Sequence, residues 1–461
     1  MEFNLGDLFE HAADTFGDRE YLVANGVRRT YREMEDRANR LAHHLAAQGV
    51  GAGDHVGIYG YNTVQWVEAL WAVFKVRAVW ININYRYVED ELRYLVGNAD
   101  LVALIHQAEF TERVAAVQPH LPLLRHVLVM DEPEYEHALE AQPPDRDFAP
   151  RSPDDRYILY TGGTTGMPKG VVWRHEDVFH ALGGGIDALT GAKVDRPEAM
   201  VEKGMFPITF FPIAPLMHGA TQWGVMGQSF IGNKVVLAAK FDPHEVWKLV
   251  EGEKVNVMMI TGDAMGRPLI EALDDAEAAG YDLSSLLALS SSAAVFSPSV
   301  KDDFFRHFPN LVLTDAIGAS ESGINGIVRV APGATAMKGG PTVAAGVDTV
   351  VLDDDLRPLV AGSGAVGRLA RSGNIPIGYY KDPAKTAETF IAVEGTRYSM
   401  PGDMATVEAD GTITLLGRGS VCINSGGEKI YPEEVEGALK DHPDVYDVLV
   451  VGVPDERWGE R

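Results

Sequence analysis

The segment Tyr160-Thr-Gly-Gly-Thr-Thr-Gly-Met-Pro-Lys-Gly170 is the most distinctive part of this 461-residue sequence. Its glycines let the backbone approach a ligand and aim N–H groups at it, while the threonine hydroxyls and Lys169 add donors and positive charge. The order Pro-Lys-Gly excludes a P-loop, which requires Gly-Lys-Ser/Thr. We therefore expect a loop that binds anionic oxygens, in preference to a flexible linker.

The chain before this loop alternates between strand-like and helical patterns, which predicts an α/β sheet with helices on its faces. Asn25-Gly26 separates two strand-like runs and predicts a hairpin, and Thr30 with Glu33 forms a capping-box pattern at the start of a helix. Strands are predicted at His55 to Tyr59, Ala78 to Ile83, Val102 to His106 and Arg125 to Met130, and helices at Thr63 to Val76 and Val88 to Gly97. A polar, proline-rich stretch, Glu132 to Asp155, interrupts the alternation.

The chain after the loop first resumes the strand and helix alternation and then changes character. Strands are predicted at Val235 to Ala238, Asn256 to Thr261, Ala288 to Ser291 and Leu311 to Thr314. After about Pro332, short strands and glycine turns predict a smaller β-rich subdomain. Its strands include Thr349 to Leu352, Gly367 to Arg371 and Thr412 to Leu416.

Composition excludes several classes of function. The net charge is −26, so the phosphates of nucleic acids and the head groups of anionic lipids repel the chain as a whole. A single cysteine, Cys422, excludes an intrachain disulfide and a cysteine-rich zinc site. The acidic N-terminus lacks the basic start of a signal peptide, and Trp66 to Ile83 is too polar to span a membrane. We expect a cytoplasmic protein with no nucleic-acid partner.

Four further segments match one known family in the family's order. They are Pro215-Leu-Met-His218-Gly219, Ile317-Gly-Ala-Ser-Glu321, Pro401-Gly-Asp403 and Gly417-Arg-Gly-Ser-Val-Cys-Ile-Asn-Ser-Gly-Gly-Glu-Lys-Ile430. With the threonine and glycine loop, they resemble the adenylate-forming superfamily of acyl-CoA ligases, luciferases and nonribosomal adenylation domains. The resemblance implies an AMP-binding N-terminal domain over residues 1–417, with the β-rich subdomain at about 332–417. Residues 418–461 would begin a small, mobile α+β C-terminal domain.

The resemblance also implies roles for individual residues. Lys169, His218 and Glu321 would act in catalysis, and Glu321, with Thr161, would bind Mg²⁺. The expected ATP and AMP contacts are Thr161, Gly162, Gly163, Thr164, Thr165, Gly166, Lys169, Ala293, Ala294, Asp315, Ile317, Gly318, Ser320, Asp403 and Arg418. Gly426 and Gly427 would face coenzyme A. The expected acyl contacts are Met217, His218, Gly219, Trp223, Thr261 and Asp263.

Other roles remain open for several of these side chains. The alternative for Asp315 is that it caps a helix or turn instead of contacting adenine. The alternative for Glu321 is that it is a solvent-exposed acid in a turn. His218 suits a helix cap or a core position. Asp263 is a polar departure in a normally apolar lining, so it either caps a turn or meets a polar group of the substrate, since a buried unpaired carboxylate is costly.

The implied reaction activates a carboxylic acid. The carboxylate attacks the α-phosphorus of ATP, pyrophosphate leaves, and the CoA thiol displaces AMP from the acyl adenylate. Closer resemblance to actinobacterial ligases of cholesterol catabolism points to a sterol side-chain carboxylate, with medium- or long-chain fatty acids as the alternative. An acyl-AMP ligase that loads a carrier protein would share these motifs, and a homodimer is compatible with them.

The end of the sequence carries a separate expectation. The family's adenylation lysine lies in a Pro-x-Gly-Lys context near the end of the C-terminal domain, and the sequence through Arg461 holds no counterpart. A catalytically impaired form that binds nucleotide and acyl group is therefore a further alternative. Ser420 stands where the family usually has a hinge Asp, which leaves the domain motion open.

Overall fold

The computed structural model describes residues 1–163, 166–186, 191–275, 280–333, 341–419, 422–425, 428–440, 442, 445–455 and 459–461. The chain forms two compact units. Unit 1 comprises Met1–Phe241 and Pro376–Thr386, and unit 2 comprises Asp242–Ile375 and Ala387–Arg461. The boundary at residue 417 stays a prediction.

The helices and strands follow one another in the alternating order that the sequence predicts. The helices are α1 Leu5–Phe16, α2 Tyr31–Ala47, α3 Val64–Lys75, α4 Glu89–Asn98, α5 Thr111–Val117, α6 Pro133–Glu140, α7 His175–Leu182, α8 Ala199–Glu202, α9 Gly219–Phe230, α10 Pro243–Glu253, α11 Gly262–Asp274, α12 Pro298–His307, α13 Pro383–Thr389 and α14 Pro432–Lys440. The strands are β1 Glu20–Ala24, β2 Val27–Thr30, β3 His55–Tyr59, β4 Val79–Ile83, β5 Leu101–His106, β6 His126–Val129, β7 Arg156–Gly163, β8 Gly166–Arg174, β9 Thr209–Pro212, β10 Lys234–Leu237, β11 Val257–Ile260, β12 Ala288–Ser292, β13 Val312–Ala319, β14 Gly323–Val330, β15 Thr342–Ala345, β16 Thr349–Leu352, β17 Gly367–Arg371, β18 Gly378–Tyr379, β19 Phe390–Val393, β20 Thr396–Ser399, β21 Asp403–Val407, β22 Ile413–Arg418, β23 Ile423–Ser425, β24 Glu428–Ile430, β25 Pro454–Asp455 and β26 Gly459–Glu460.

Unit 1 is organised around a seven-stranded sheet in the order β18-β8-β7-β4-β3-β5-β6. Strands β7, β4, β3, β5 and β6 run parallel, and β8 returns antiparallel beside β7. Helix α3 is buried along nearly its whole length, with Trp66 and Trp71 in the core, as expected for a helix between packed layers. The same unit contains strands β9, β10 and β1 in parallel, with β2 antiparallel to β1.

Unit 2 carries a mixed sheet that changes from parallel to antiparallel along its width. Strands β11, β12 and β13 are parallel neighbours, and β14, β15, β22, β21, β17, β20 and β19 follow in antiparallel pairs. A smaller core formed by Ile317, Val343, Val351, Leu369 and Ile413 lies beneath the antiparallel part. Strands β23 to β26 form a separate four-stranded sheet.

These observations confirm the predicted α/β fold class. The Asn25-Gly26 hairpin joins β1 to β2, and the capping box of Thr30 and Glu33 begins α2. The stretch from Glu132 to Asp155 is not a plain linker, because Pro133 occupies the first turn of α6 and Tyr135 buries its ring. Within the described residues, no helix combines the length and apolarity needed to cross a membrane.

Candidate functional site

The predicted phosphate loop is the tip of a β-hairpin in unit 1. Strand β7 extends through Gly163, so the hairpin continues beyond the strand predicted to end at Tyr160. Thr161 lies opposite Lys169 and Gly163 opposite Gly166, and the pairing shifts in register between Thr161 and Gly163. Gly162 is exposed and has open space where a side chain would lie, which suits close approach by a ligand. Thr164 and Thr165 lie outside the described residues.

The lysine of this hairpin has an acidic partner. Lys169 Nζ forms an ion pair with a carboxylate oxygen of Asp382, which follows β18. The second carboxylate oxygen of Asp382 accepts a hydrogen bond from Lys385 N at 2.9 Å, at the start of α13. The Lys169 ammonium and the capping bonds lower the pKa of Asp382, so this carboxylate is ionised at neutral pH. Asp382 lies 213 residues from Lys169, so no local sequence pattern indicates this pair.

Two buried asparagines bind the segment before α9, and one of them, Asn82, also binds the hairpin. Asn82 donates hydrogen bonds to the carbonyls of Tyr160, at 2.9 Å, and Met217, at 2.7 Å, and accepts one from Tyr160 N. Asn62 accepts a hydrogen bond from Leu216 N at 2.7 Å. Both side chains are buried, so they fix two loops that would otherwise leave backbone groups unpaired. The structure therefore brings the predicted phosphate and acyl segments of unit 1 together.

His218 and its neighbours begin helix α9. His218 is the N-cap residue of α9, although its side chain makes no capping bond, and the residue is exposed, so the core alternative is wrong. Desolvation of the imidazole and, secondarily, the charge of Arg86 lower the pKa of His218, which is therefore neutral at pH 7. Met217 and Trp223 are buried. A Cβ at Gly219 would lie 2.4 Å from Leu159 Cδ2, so a larger residue here requires the neighbouring side chains to shift.

In unit 2, Asp315 lies within β13 and pairs with a buried lysine. Lys301 Nζ, from α12, forms an ion pair with Asp315, and both side chains are about nine-tenths buried. Desolvation raises the pKa of Asp315, and the Lys301 charge opposes that rise. The alternative of a helix or turn cap is wrong, because Asp315 is paired with Ser291 and Val328 in the middle of the sheet. Lys301 was not predicted as a site residue, because in the sequence it resembles an ordinary charged residue of a helix.

Glu321 lies in the turn between β13 and β14. It is only 8% exposed, so the solvated-turn alternative is wrong. Ser399 Oγ donates a hydrogen bond to the Glu321 carbonyl at 2.5 Å, and Arg371 Nη1 donates to the Ile324 carbonyl. Ile317 is buried in the core and Gly318 still belongs to β13, while Ser320 and Glu321 lie in the turn. A register shift occurs at Gly318, where a Cβ would lie 2.5 Å from the Gly323 carbonyl oxygen.

Asp403 and Arg418 face each other across β21 and β22. Arg418 Nε lies 3.4 Å from Asp403 Oδ1, and the two residues are register partners. Desolvation raises the pKa of Asp403, and Arg418 offsets part of that effect. A mostly buried carboxylate held on β21 and facing Arg418 is well placed to accept hydrogen bonds from paired hydroxyls.

The remaining predicted residues lie around the ends of β11 and β12. Thr261 precedes α11 and makes no capping bond, and Asp263 lies in the first turn of that helix. Ala293 and Ala294 are exposed directly after β12. Gly426 and Gly427, the predicted CoA contacts, and Ser420 lie outside the described residues. Among the residues that are described, no three His, Cys, Asp or Glu side chains form a metal-binding cluster.

Comparison with known proteins places these features in one family. Residues 9–380 match the family described as AMP-binding enzyme. A 3-oxocholest-4-en-26-oate–CoA ligase from Rhodococcus rhodochrous is 54% identical over 477 residues, covering 100% of this chain and 86% of the relative. A medium/long-chain-fatty-acid–CoA/3-oxocholest-4-en-26-oate–CoA ligase from Mycolicibacterium smegmatis is 50% identical over 476 residues, with the same coverage.

Solved structures share the fold at lower identity. The anthranilate CoA ligase AuaEII in complex with anthranoyl-AMP gives a TM-score of 0.84 at 22% identity, covering 99% of this chain and 85% of that one. ATP-bound MatB from Rhodopseudomonas palustris gives a TM-score of 0.82 at 21% identity, covering 100% and 87%. The family match and the close relatives together establish that the chain belongs to the AMP-binding enzyme family.

Proposed function

We propose that the protein is an AMP-forming acyl-CoA synthetase that converts a sterol side-chain carboxylate, through an acyl adenylate, into its CoA thioester. The observation that carries this proposal is the 54% identity, over the whole chain, to a ligase named for 3-oxocholest-4-en-26-oate. The lone cysteine and the acidic composition suit a cytoplasmic enzyme that acts on small molecules.

The phosphate hairpin would bind and orient the triphosphate. A carboxylate is a weak electrophile, so the acid needs a leaving group, and in-line attack on the α-phosphorus requires the two reactants to be held in position. Backbone N–H groups around Gly162 and the Lys169 ammonium would neutralise the charge that develops on the phosphate oxygens. Lys169 must then exchange its contact with Asp382 for one with a phosphate, or share it.

Mg²⁺ would accompany ATP, and its fit rests on Glu321. A hard cation of this kind prefers carboxylate oxygens and usually takes only one or two from the protein, the rest coming from phosphate and water. Glu321 fits that donor set, because its turn is fixed through Ser399 and Arg371. When bound, Mg²⁺ would neutralise phosphate charge.

The nucleoside contacts are assigned to unit 2. Asp403 would accept hydrogen bonds from the ribose hydroxyls, with Arg418 beside it. Asp315 would accept from the adenine amino group, and Lys301 would offset part of the desolvation that raises the pKa of this carboxyl group. These assignments follow the family resemblance, and the fixed position of each carboxylate on a strand supports them.

Medium- or long-chain fatty acids are the second candidate substrates. The Mycolicibacterium smegmatis relative is named for both classes of acid, at 50% identity. Both are apolar acids with a terminal carboxylate, so the first chemical step is the same. They differ in the shape of the apolar group.

Product analysis tests the proposed reaction. The protein is incubated with 3-oxocholest-4-en-26-oate, ATP, MgCl₂ and CoA, and AMP, pyrophosphate and thioester are quantified by mass spectrometry. We expect equal amounts of AMP and thioester, and acyl adenylate when CoA is left out. Release of ADP, or adenylate that never becomes a thioester when CoA is present, would exclude the proposal.

A pair of variants ties the reaction to the predicted site. Glu321→Gln should lower turnover by at least about tenfold, since one charged ligand is lost. Asp302→Asn removes an exposed carboxylate from α12 and should leave turnover unchanged. Equal activities of the two variants would refute the assignment of Glu321.

A further inference from the structure

Three hydrogen bonds join the start of α11 to β12 and the segment 293–297 that follows it. Gly262 N donates to Ser291 Oγ at 3.1 Å, and Asp263 N donates to the Val295 carbonyl at 2.9 Å. Ser297 N donates to Asp263 Oδ1 at 2.8 Å. Ser291, Ser297 and Asp263 are all at least nine-tenths buried, so these bonds are shielded from competition by water.

The two segments approach so closely that only glycine fits between them. Gly262 has φ +50°, and a Cβ there would lie 2.2 Å from the Val295 carbonyl oxygen and 2.9 Å from Ala294 C. Backbone atoms cannot give way as a flexible side chain can. Any side chain at position 262 would therefore displace the segment 293–297.

The same segment holds a residue in an unfavourable conformation. Ala293 has φ +67°, in the left-handed region that a residue with a Cβ seldom occupies. Such a conformation persists only where the surrounding contacts determine it. The bonds from Gly262 and Asp263 hold Ser291 and Val295, which lie two residues before and two residues after Ala293 in the chain.

The charge of Asp263 is stabilised by two helices. Asp263 lies in the first turn of α11, and its Oδ1 accepts from Ser297 N, where Ser297 is the N-cap of α12. The partial positive charge at both helix N-termini favours a carboxylate at this point. The second oxygen, Oδ2, is 3.8 Å from Arg267 Nη2 and makes no hydrogen bond within the described structure. The arrangement matches the turn-capping alternative for Asp263.

We propose that Asp263 is a positioning residue that holds the segment 293–297 in place for the nucleotide, and that it does not contact the acyl substrate. The proposal rests on the proposed function, in which Ala293 and Ala294 flank the adenine. It predicts that loss of the Asp263 carboxyl group affects nucleotide affinity and leaves the recognition of the acid unchanged.

Two substitutions at the same position separate these roles. Asp263→Ala removes the acceptor for Ser297 N and should weaken AMP binding by about tenfold, measured by titration calorimetry. Asp263→Asn keeps an acceptor oxygen and should bind AMP within about threefold of the native affinity. The KM for the acid should stay within about twofold in both variants. Asp302→Asn on α12 is the charge-matched control and should bind AMP as the native protein does.

A second variant keeps the proposal testable if Asp263→Ala does not fold. Gly262→Ala keeps the carboxylate but displaces the segment 293–297, and it should also weaken AMP binding while the acid KM is unchanged. Native AMP affinity in Gly262→Ala or in a folded Asp263→Ala would overturn the proposal. So would an acid KM that rises equally in Asp263→Asn and Asp263→Ala, since that pattern indicates a charged contact with substrate.

The experiments distinguish failure of the proposed function from failure of the proposal about Asp263. AMP binding requires no turnover, so the comparison of variants stands even if the native protein converts neither sterol acid nor fatty acid. Absence of thioester with intact AMP binding would refute the proposed substrate class alone. Absence of AMP binding in the native protein would overturn both proposals.

Discussion

Lys169, on the arm of the predicted phosphate hairpin, forms an ion pair with Asp382, whose second carboxylate oxygen caps the start of α13. One carboxylate therefore neutralises the lysine that the proposed reaction needs for phosphate. Because both side chains are partly exposed, at 43% and 26%, the pair is weak enough for a triphosphate to displace it.

Asp382→Asn should tighten ATP binding. Asparagine caps a helix about as well as aspartate, so the start of α13 is retained while the competing charge is removed. An exposed ion pair contributes less than about 1 kcal/mol, so the Kd for ATP should fall by about two- to fivefold. Titration calorimetry without acid or CoA measures this. Weaker ATP binding in Asp382→Asn would show instead that Asp382 orients Lys169 for the phosphate.

Asp403→Asn should stabilise the nucleotide-free protein while weakening its ligand binding. Burial raises the pKa of Asp403 above the ordinary aspartate value of 3.8, so folding is penalised once this group must ionise. The gain in Tm, about 1–3 °C at pH 7, should shrink as the pH falls toward the raised pKa of Asp403, because protonation of the native carboxyl removes the penalty. AMP affinity should fall by about tenfold.

Thermal unfolding of both proteins between pH 4.5 and 8, with AMP titrations at pH 7, checks this prediction. A variant that is less stable at pH 7 would show that the Arg418 contact outweighs the cost of burying Asp403. An unchanged AMP affinity would remove Asp403 from the nucleotide site.

Local sequence patterns predicted the elements whose cause is local. The hairpin at Asn25-Gly26 and the capping box of Thr30 and Glu33 each depend on residues within four positions of one another. Both were therefore predicted correctly. Strand β3 has the predicted bounds. Helix α6 was not predicted, because it begins with a proline in a polar, proline-rich stretch. That stretch contains too few apolar residues to show a helical period.

The partners of the predicted site residues could not be read from the sequence. Asp382 is distant in the sequence from its partner Lys169, and Lys301 is separated from its partner Asp315. In the sequence, both partners resemble ordinary charged residues at helix starts or on the surface. Asn82 is similar, since its buried bonds to Tyr160 and Met217 exist only after three segments converge. The motifs therefore indicated the candidate site, while the residues that hold it required the fold.

Gly219→Ala should destabilise the protein. The added methyl would meet Leu159 Cδ2 at 2.4 Å and Trp223 Cζ2 at 2.9 Å, and overpacking of this kind costs about 1–3 kcal/mol. Gly252→Ala is the matched control, because its methyl meets nothing within 4 Å in helix α10. It should stabilise by about 0.5–1 kcal/mol through helix propensity. Urea denaturation of both variants measures the difference, and equal stabilities would contradict the packing described at Gly219.

Arg86→Gln should raise the pKa of His218, because it removes the nearby positive charge and leaves the larger desolvation effect in place. The shift is followed by NMR titration of the imidazole resonance. Lys385→Gln, which changes a charge elsewhere in unit 1, is the control and should leave the His218 resonance unaffected. A fall in the pKa of His218 in Arg86→Gln would contradict the electrostatic description of this site.

A direct competition assay tests the central claim. Equal concentrations of 3-oxocholest-4-en-26-oate and palmitate are supplied together with ATP, MgCl₂ and CoA, and the initial rates of the two thioesters are measured by mass spectrometry. The ratio of rates equals the ratio of kcat/KM values, so it reports discrimination between the two acids. We predict faster formation of the sterol thioester. Faster formation of palmitoyl-CoA would contradict the assignment of a sterol side-chain acid as the substrate.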